Sequence, residues 1–317
     1  MRVWTVSEMK AGTLTQCVGV GRYLDPEPHR VVVGNKKLPR WQRGLLSPYR
    51  TFEQPEPDVI ISCGRMAPRH VFAIVRACRR NPFTVHLQTP PAEFADQYDM
   101  AFISRHDWTD AKAAKAHFHQ MLGVPHQVTR AKLDLLRPSA RAKWVKDGGR
   151  TITVLVGGSN GAYLFDPPTV DSLITAIKQL TRQGWTALVS TSRRSEPMLL
   201  QRLLALRDER IVVWDHTGDN PYQEFLAAAD AFLITKDSIT MNCEAVTSGR
   251  PVYSFDLAKT SGDKLEAFEW FHADMSETLG LTRPFTGEIV RYDHTPPDEA
   301  PRIAEMIRAD MQRRRKS

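Results

Sequence analysis

Cysteine is scarce in this chain. Cys17, Cys63, Cys78 and Cys243 lie far apart, with no Cys-x-x-Cys pair. That argues against a zinc site or a disulfide framework and fits a reduced compartment, with the thiols as small buried groups. Long apolar runs are missing too, since none approaches the ~20 residues of a membrane span. The opening MRVWTVSEMKAG enters a strand directly, with no signal-peptide core. A cytoplasmic location is therefore expected. There is no Asp-x-Asp pair and no His-x-x-x-His pattern, so a metal-dependent reaction is not supported. No cofactor is implied.

Acidic residues are the minority, 36 against 43 basic ones, for a net charge of +7. The excess is uneven. Residues 1–147 carry 23 Lys+Arg against 13 Asp+Glu, and residues 148–317 carry 20 against 23. A basic amino-terminal half points to an anionic partner or to a merely solvated basic surface. With no interleaved aromatic and basic residues, nucleic acid is disfavoured. Apolar residues make up 42% of 317, enough for two buried cores.

The carboxyl-terminal half alternates strand and helix. Strands are expected at 151–158, 185–190, 211–214, 231–235 and 251–255. Helices are expected through Val170, Leu173, Ile174, Ile177 and Leu180, closed by Gly184, and over 196–206, 220–229 and 238–248. Short links between them predict a parallel, doubly wound sheet. The amino-terminal half shows strands at RVWTVS, 58–64, 83–88 and 100–105, a helix at 68–80 and a long loop over 34–57. The tail, 298–316, has Ile303, Met306, Ile307 and Met311 at helical spacing, and its closing RRRK reads as a solvated helix end. Two domains follow, 1–147 and 148–317, with a linker near KDGGR and the last helix packing back on the first domain.

Gly157-Gly158-Ser159-Asn160-Gly161 follows a strand. It is neither a Walker loop nor Gly-x-Gly-x-x-Gly, which disfavours a nicotinamide cofactor. Two readings stand, a backbone cradle for phosphate and a plain tight turn. Asp237 and Ser238 open a helix, where free N–H groups and the positive dipole end gather; an ordinary N-cap is the alternative. Glu244, two turns on, could accept both hydroxyls of a ribose or be a surface charge. Arg193 and Arg194 follow a strand at the edge where ligands bind in open α/β sheets, as phosphate ligands or as a solvated pair.

GGSNGA and DSITMNCEAVTSGRP resemble the GT-B glycosyltransferases, in particular the enzyme that adds N-acetylglucosamine to the peptidoglycan lipid precursor. A match over nearly the whole chain is to the plant mitochondrial-fission (elongated-mitochondria) factor family and its bacterial relatives, some regarded as lipooligosaccharide outer-core glycosyltransferases. It is carried by AGTLTQCVGVGRYL, DVIISCGRMAPRHVFAIVRA, MAFISRHDW, STSRR and GDNPYQEFLAAADAFLITKDSITMNCEAVTSGRPVY. The resemblance implies two Rossmann-like domains. Gly157, Gly158, Ser159, Ser238 and Glu244 would face a nucleotide-sugar, and Asn160, Arg193, Arg194 and Asp237 join that donor set.

The resemblance also implies transfer from a UDP-sugar to an anionic glycolipid or lipooligosaccharide at the cytoplasmic face of the inner membrane. The family's first loop usually reads Gly-His-x-x-Gln. Here it is Gly12-Thr13-Leu14-Thr15-Gln16, an acceptor-side loop of Gly12, Thr13 and Gln16 without the histidine. Glu8, His106 and Asp107 remain as candidate bases. Two rivals share the fold, a nucleotide-sugar epimerase or hydrolase and a non-catalytic membrane-associated adaptor.

Overall fold

A computed structural model describes residues 1–34 and 55–316. The loop expected over 34–57 thus lies, for 35–54, outside the described residues. The chain divides into two compact units. Unit one is Met1–Gln127 with Asp298–Ser317, and unit two is Val128–Pro297.

Unit one contains β1 (Val3–Glu8), α1 (Ala11–Leu24), β2 (His29–Val33), β3 (Val59–Cys63), α2 (Ala67–Ala77), β4 (Phe83–Leu87), β5 (Met100–Ser104) and β6 (Phe118–Met121). Its six strands pair in parallel in the order β2-β1-β3-β4-β5-β6. β1, β3, β4 and β5 are buried along their whole length, as strands covered on both faces must be. Val6, Ile60, Val71 and Ile74 are fully buried on the face that α2 covers.

Unit two contains α3 (Arg130–Trp144), β7 (Arg150–Val156), β8 (Tyr163–Leu164), α4 (Pro167–Arg182), β9 (Trp185–Thr191), α5 (Pro197–Leu204), β10 (Ile211–Val213), α6 (Tyr222–Ala228), β11 (Ala231–Thr235), α7 (Ile239–Val246), β12 (Val252–Phe255), β13 (Ala258–Lys259), α8 (Asp263–Ala273) and β14 (Arg283–Pro284). Its main sheet runs β10-β9-β7-β11-β12-β14, all parallel. The first strand lies in the middle and the chain winds outward both ways. This is the doubly wound arrangement, with its order reversing between β7 and β11. The helical spacing read from Val170 to Leu180 buries all five of those side chains in α4.

The division falls at Gln127/Val128, earlier than the expected 147/148. The reason is α3. Arg137 and Arg141 both bond Asp230, Arg141 at 2.9 Å, and they donate to the carbonyls of Ala227, Ala228 and Ala229 at the end of α6. Lys143 and Trp144 hold Glu224. These bonds fix α3 to unit two. Redrawn on the units, the charge is +8 (23 against 15) and −1 (20 against 21). The tail forms α9 (Glu299–Lys316) within unit one. It buries Ile303, Ala304 and Ile307, and Glu299 accepts the Leu122 N–H at 3.0 Å.

Candidate functional site

The carboxyl edge of unit two gathers three loops, those leaving β7, β9 and β11, because these strands are neighbours. Asp237 ties them together. Its side chain is wholly buried. Oδ2 accepts the Gly158 N–H at 3.0 Å and an Arg194 guanidinium N–H at 2.8 Å, and Oδ1 accepts the Thr235 hydroxyl at 2.7 Å. Burial raises its pKa although these bonds pull it down. The clamp needs its glycines. A Cβ on Gly157 would lie 1.8 Å from Asp237 Oδ2, and one on Gly158 would lie 2.3 Å from the Arg194 carbonyl oxygen.

The amides expected to cradle phosphate are occupied. Gly157 N–H donates to Thr235 Oγ1 at 2.9 Å, Gly158 N–H to Asp237, and Ser159 N–H to Glu196 Oε1 at 3.2 Å. A diphosphate in this turn would also meet two carboxylates. As it stands, the turn of Gly157, Gly158 and Ser159 is lashed between strands by its own amides. Asn160 belongs to it, donating from Nδ2 to the Asp237 carbonyl at 3.0 Å and accepting the Ala162 and Tyr163 N–H groups on Oδ1. The five residues also spell Gly-x-Ser-x-Gly, but a nucleophile elbow turns directly from strand to helix. Here the chain continues to β8, and Ser159 Oγ accepts the Phe165 N–H at 3.0 Å.

Two arginines expected to act alike part company. Arg194 is bound to Asp237 and to the Gly158 carbonyl, at 3.0 Å. Arg193 is exposed and has no ion-pair partner among the described residues. Ser238 caps α7, its Oγ accepting the Met241 N–H at 3.3 Å. The amides of Ile239 and Thr240, first in the helix, have no intrahelical acceptor, and both residues are half-buried.

Glu244 is neither a surface charge nor an open cleft carboxylate. It is 8% exposed, and its Oε2 accepts the Tyr222 hydroxyl. Burial pushes its pKa up to about 7, with the Tyr222 bond opposing. Tyr222 is the first residue of α6 and closes the stretch HTGDNPY. The same stretch supplies His216, whose φ of 66° is the left-handed region. Its Nε2 shares a 2.7 Å hydrogen bond with Thr191 Oγ1, and its ring stacks on Trp214 at 4.5 Å. A non-glycine residue held there marks a constrained loop.

In unit one the order reverses between β1 and β3. Glu8, at the end of β1, spans that point. Its Oε1 accepts the Met66 N–H at 3.0 Å, and its Oε2 lies 2.7 Å from Lys10 Nζ. Burial alone would raise its pKa, but Lys10 and the N–H groups of Met66 and Arg65 outweigh it and hold the carboxyl low. His106 and Asp107 follow β5, three strands from β1, or roughly 14 Å at the usual strand spacing. Gly12, Thr13 and Gln16 form the first turns of α1 rather than a loop. The Thr13 hydroxyl donates to the Glu8 and Lys10 carbonyls, and Gln16 is buried, accepting from Cys63 Sγ at 3.5 Å.

Among the described residues no three of His, Cys, Asp and Glu gather to hold a metal ion. No helix of the described residues is long and apolar enough to cross a membrane.

The family model for mitochondrial fission ELM1 matches residues 11–311. The chain belongs to that family. A curated relative, mitochondrial fission protein ELM1 of Arabidopsis thaliana, is 24% identical over 75% of this chain and 59% of its own length; the chain thus spans about three-fifths of that protein. Among solved structures, the UDP-GlcNAc 2-epimerase of Methanocaldococcus jannaschii superposes with a TM-score of 0.58 at 11% identity, covering 98% of this chain and 100% of that one. The ADP-heptose LPS heptosyltransferase II of E. coli gives 0.51 at 13%, covering 99% and 100%. These likenesses establish the fold, two Rossmann-like halves with parallel sheets of the kind seen in glycosyltransferases and epimerases.

Within this ELM1-family chain, the strand order brings together Gly157, Gly158, Ser159, Asn160, Arg193, Arg194, Asp237 and Ser238. It leaves Glu8 apart from His106 and Asp107. Glu196 had no sequence signal as a site residue. It sits at the N-cap position of α5 without capping it, and its Oε1 accepts the Ser159 N–H instead.

Proposed function

We propose that the chain is a GT-B glycosyltransferase. It would take a sugar from a nucleotide-sugar, most simply a UDP-sugar, at the carboxyl edge of unit two, and pass it to an anionic glycolipid of the cell envelope bound by unit one. The observation that carries the donor reading is the buried Glu244 carboxylate beside Tyr222, on the helix whose first two amides, with neighbouring Arg193, suit a diphosphate. Ribose hydroxyls donating to Glu244 would offset the cost of its burial. The clamp of Asp237 would hold the loops in place without touching the phosphates. Glu8 is the base this reading favours, as an ionised carboxylate at the switch point of unit one. The nucleotide-sugar class is that of the archaeal epimerase's substrate, as its name states.

One experiment with two arms tests this. Calorimetric titration of UDP-sugars and UDP should show saturable binding that Glu244→Gln weakens by roughly 10- to 100-fold, the worth of a hydrogen bond to a charged group. A 2′-deoxy donor should lose affinity with the native protein and far less with the variant. Simple additivity of the two losses would remove Glu244 from the ribose. In the second arm, anionic vesicles should bind the +8 unit's surface and release it as salt rises. Equal binding to neutral vesicles would end the membrane part of the reading.

A further inference from the structure

Unit two has a cleft at the amino ends of its strands. It is about 470 Å³ in volume. Arg150 at the start of β7, Trp185 at the start of β9, Ala231 at the start of β11 and Pro251 just before β12 form one wall, and the segment from Ile289 to Asp293 forms the other. The donor loops lie at the opposite ends of the same strands, about 20 Å away for a seven-residue strand. Ligands of open α/β sheets bind at the carboxyl ends, so the fold itself does not account for this cleft.

Its charged lining is three arginines, Arg150, Arg250 and Arg291, and two carboxylates, Asp230 and Asp293. Burial lowers the Arg250 pKa, and Arg137 and, less, Arg130 add to this against Asp134 and Asp230, which raise it. Asp230, the carboxylate on the floor, is already shared by Arg137 and Arg141 and accepts the Thr151 N–H at 2.9 Å. Asp293 stands on the rim, 90% exposed and 4.0 Å from Arg291. Asp134 meets Arg250 only at 3.5 Å. The Arg250 side chain is 17% exposed, and its Nη1 is buried with no hydrogen-bond partner among the described residues. A buried guanidinium N–H without an acceptor is costly, and it leaves the Arg250 charge only partly offset beside the cleft. Arg150 keeps its guanidinium over the Trp185 ring at 4.7 Å and spends one Nη2 bond on the Gln183 carbonyl at 2.7 Å. Its remaining N–H groups are available on the cleft wall.

We propose that this cleft binds a compact phosphate-bearing anion, a phosphomonoester seated on Arg250 and Arg150 with Arg291 closing from the rim. The arginine fork suits phosphate oxygens in pairs. The volume leaves room for a body of sugar or glycerol size beside Trp185 and Ile289. The proposal does not rest on the donor site or on any transferase activity.

The test is calorimetric titration of glycerol 3-phosphate, with glycerol as control, into the full chain, and flotation with phosphatidic acid or phosphatidylcholine vesicles. Saturable binding of glycerol 3-phosphate and none of glycerol is expected. Arg250→Gln should weaken it at least tenfold, and Arg193→Ala, at the other end of the sheet, should leave it unchanged. If Arg250→Gln does not fold, Arg291→Ala on the exposed rim carries the test, with an expected loss of about threefold. Binding of phosphatidic acid vesicles alone, lost with Arg250→Gln or Arg291→Ala, assigns the phosphate to a lipid headgroup and upholds the cleft. Binding of neither probe, or binding indifferent to these arginines, overturns the proposal.

Discussion

The two units solve the same local problem with the same device and opposite electrostatics. At each switch point a carboxylate from one strand reaches across to the loop of its neighbour. Glu8 takes the Met66 amide and Lys10, with Gly64 pressed against it. Asp237 takes the Gly158 amide and Arg194, with Gly157 pressed against it. Yet the Glu8 pKa is held low and the Asp237 pKa is raised. Burial explains the split. Asp237 is enclosed, so desolvation outweighs its bonds; Glu8 keeps some solvent, so Lys10 and the amides prevail. A carboxylate at a switch point can therefore be a lock or a reagent, and exposure rather than position separates the two.

The largest expected effect tests the reagent. If Glu8 deprotonates the acceptor, Glu8→Gln should lower turnover of a UDP-sugar about 100- to 10,000-fold, the usual worth of a general base. Asp107→Asn, three strands away, should stay within about threefold. Similar losses in both variants, followed as product formed per enzyme, would break the distinction between the two positions.

Next comes the lock. Gly157→Ala drives a methyl into Asp237 Oδ2, which is enclosed and cannot retreat. A loss of about 3 kcal/mol is expected, at the upper end for overpacking. Gly64→Ala meets Glu8 Oε1 at 2.9 Å, the tip of a side chain that can yield. Its φ of 100° adds backbone strain, so about 1–2 kcal/mol is expected. Denaturant midpoints for the pair decide it, and a larger loss at Gly64 would reverse the assignment of lock and reagent.

Glu244 sharpens the comparison, since it too is buried but lacks a cationic partner. Its pKa rises from 4.5 to about 7 on folding. Between those values the folded state binds more protons than the unfolded one, so stability falls as pH rises through that window. The full difference is about 3 kcal/mol. Glu244→Gln should therefore flatten the profile and be more stable than the native protein at pH 8, by up to about 3 kcal/mol, while binding donor more weakly. A variant that loses stability at pH 8 would show that the carboxylate is a structural anchor.

How much of this was readable beforehand depends on what held each element. The well-buried strands β1, β3, β4, β5, β7, β9, β10, β11 and β12 and helix α4 were visible because burial writes a pattern into apolar residues, as from Val170 to Leu180; β2, β6, β8, β13 and β14, short or half-exposed, were not. α3 was not, because it carries Pro138 inside it and only Leu133 and Ala140 are buried; its attachment is through Arg137, Arg141 and Trp144, and charge leaves no period. That omission moved the boundary between the units. The parallel, doubly wound sheet followed from the alternation of elements, while the order that makes β7, β9 and β11 neighbours came from the structure. So did what the loop atoms do with one another. Gly157-Gly158-Ser159 is compatible with a phosphate cradle and with a lashing, and only the position of Asp237 and Glu196 separates them. Tyr222 lies 22 residues from Glu244, and no local spacing links such a pair.

The smallest expected effect separates two neighbours in sequence. Arg194 is half of the lock: its guanidinium spans Asp237 and the Gly158 carbonyl. Its side chain is 47% exposed, so solvent screens it, and Arg194→Ala should cost about 1 kcal/mol of stability rather than the several that a fully buried pair would lose. Arg193 touches no acidic partner among the described residues and projects into solvent. Arg193→Ala should leave stability within about 0.5 kcal/mol, yet weaken nucleoside diphosphate binding about three- to tenfold, because an exposed charge-assisted contact to phosphate contributes near the low end of its range. Free nucleoside should bind the Arg193 variant as it binds the native protein. Thermal unfolding and calorimetry on the two single variants give four numbers whose pattern is crossed: stability lost at 194, phosphate affinity lost at 193. If Arg194→Ala loses phosphate affinity without loss of stability, the clamp opens to ligand and the lashed loop is a phosphate site after all.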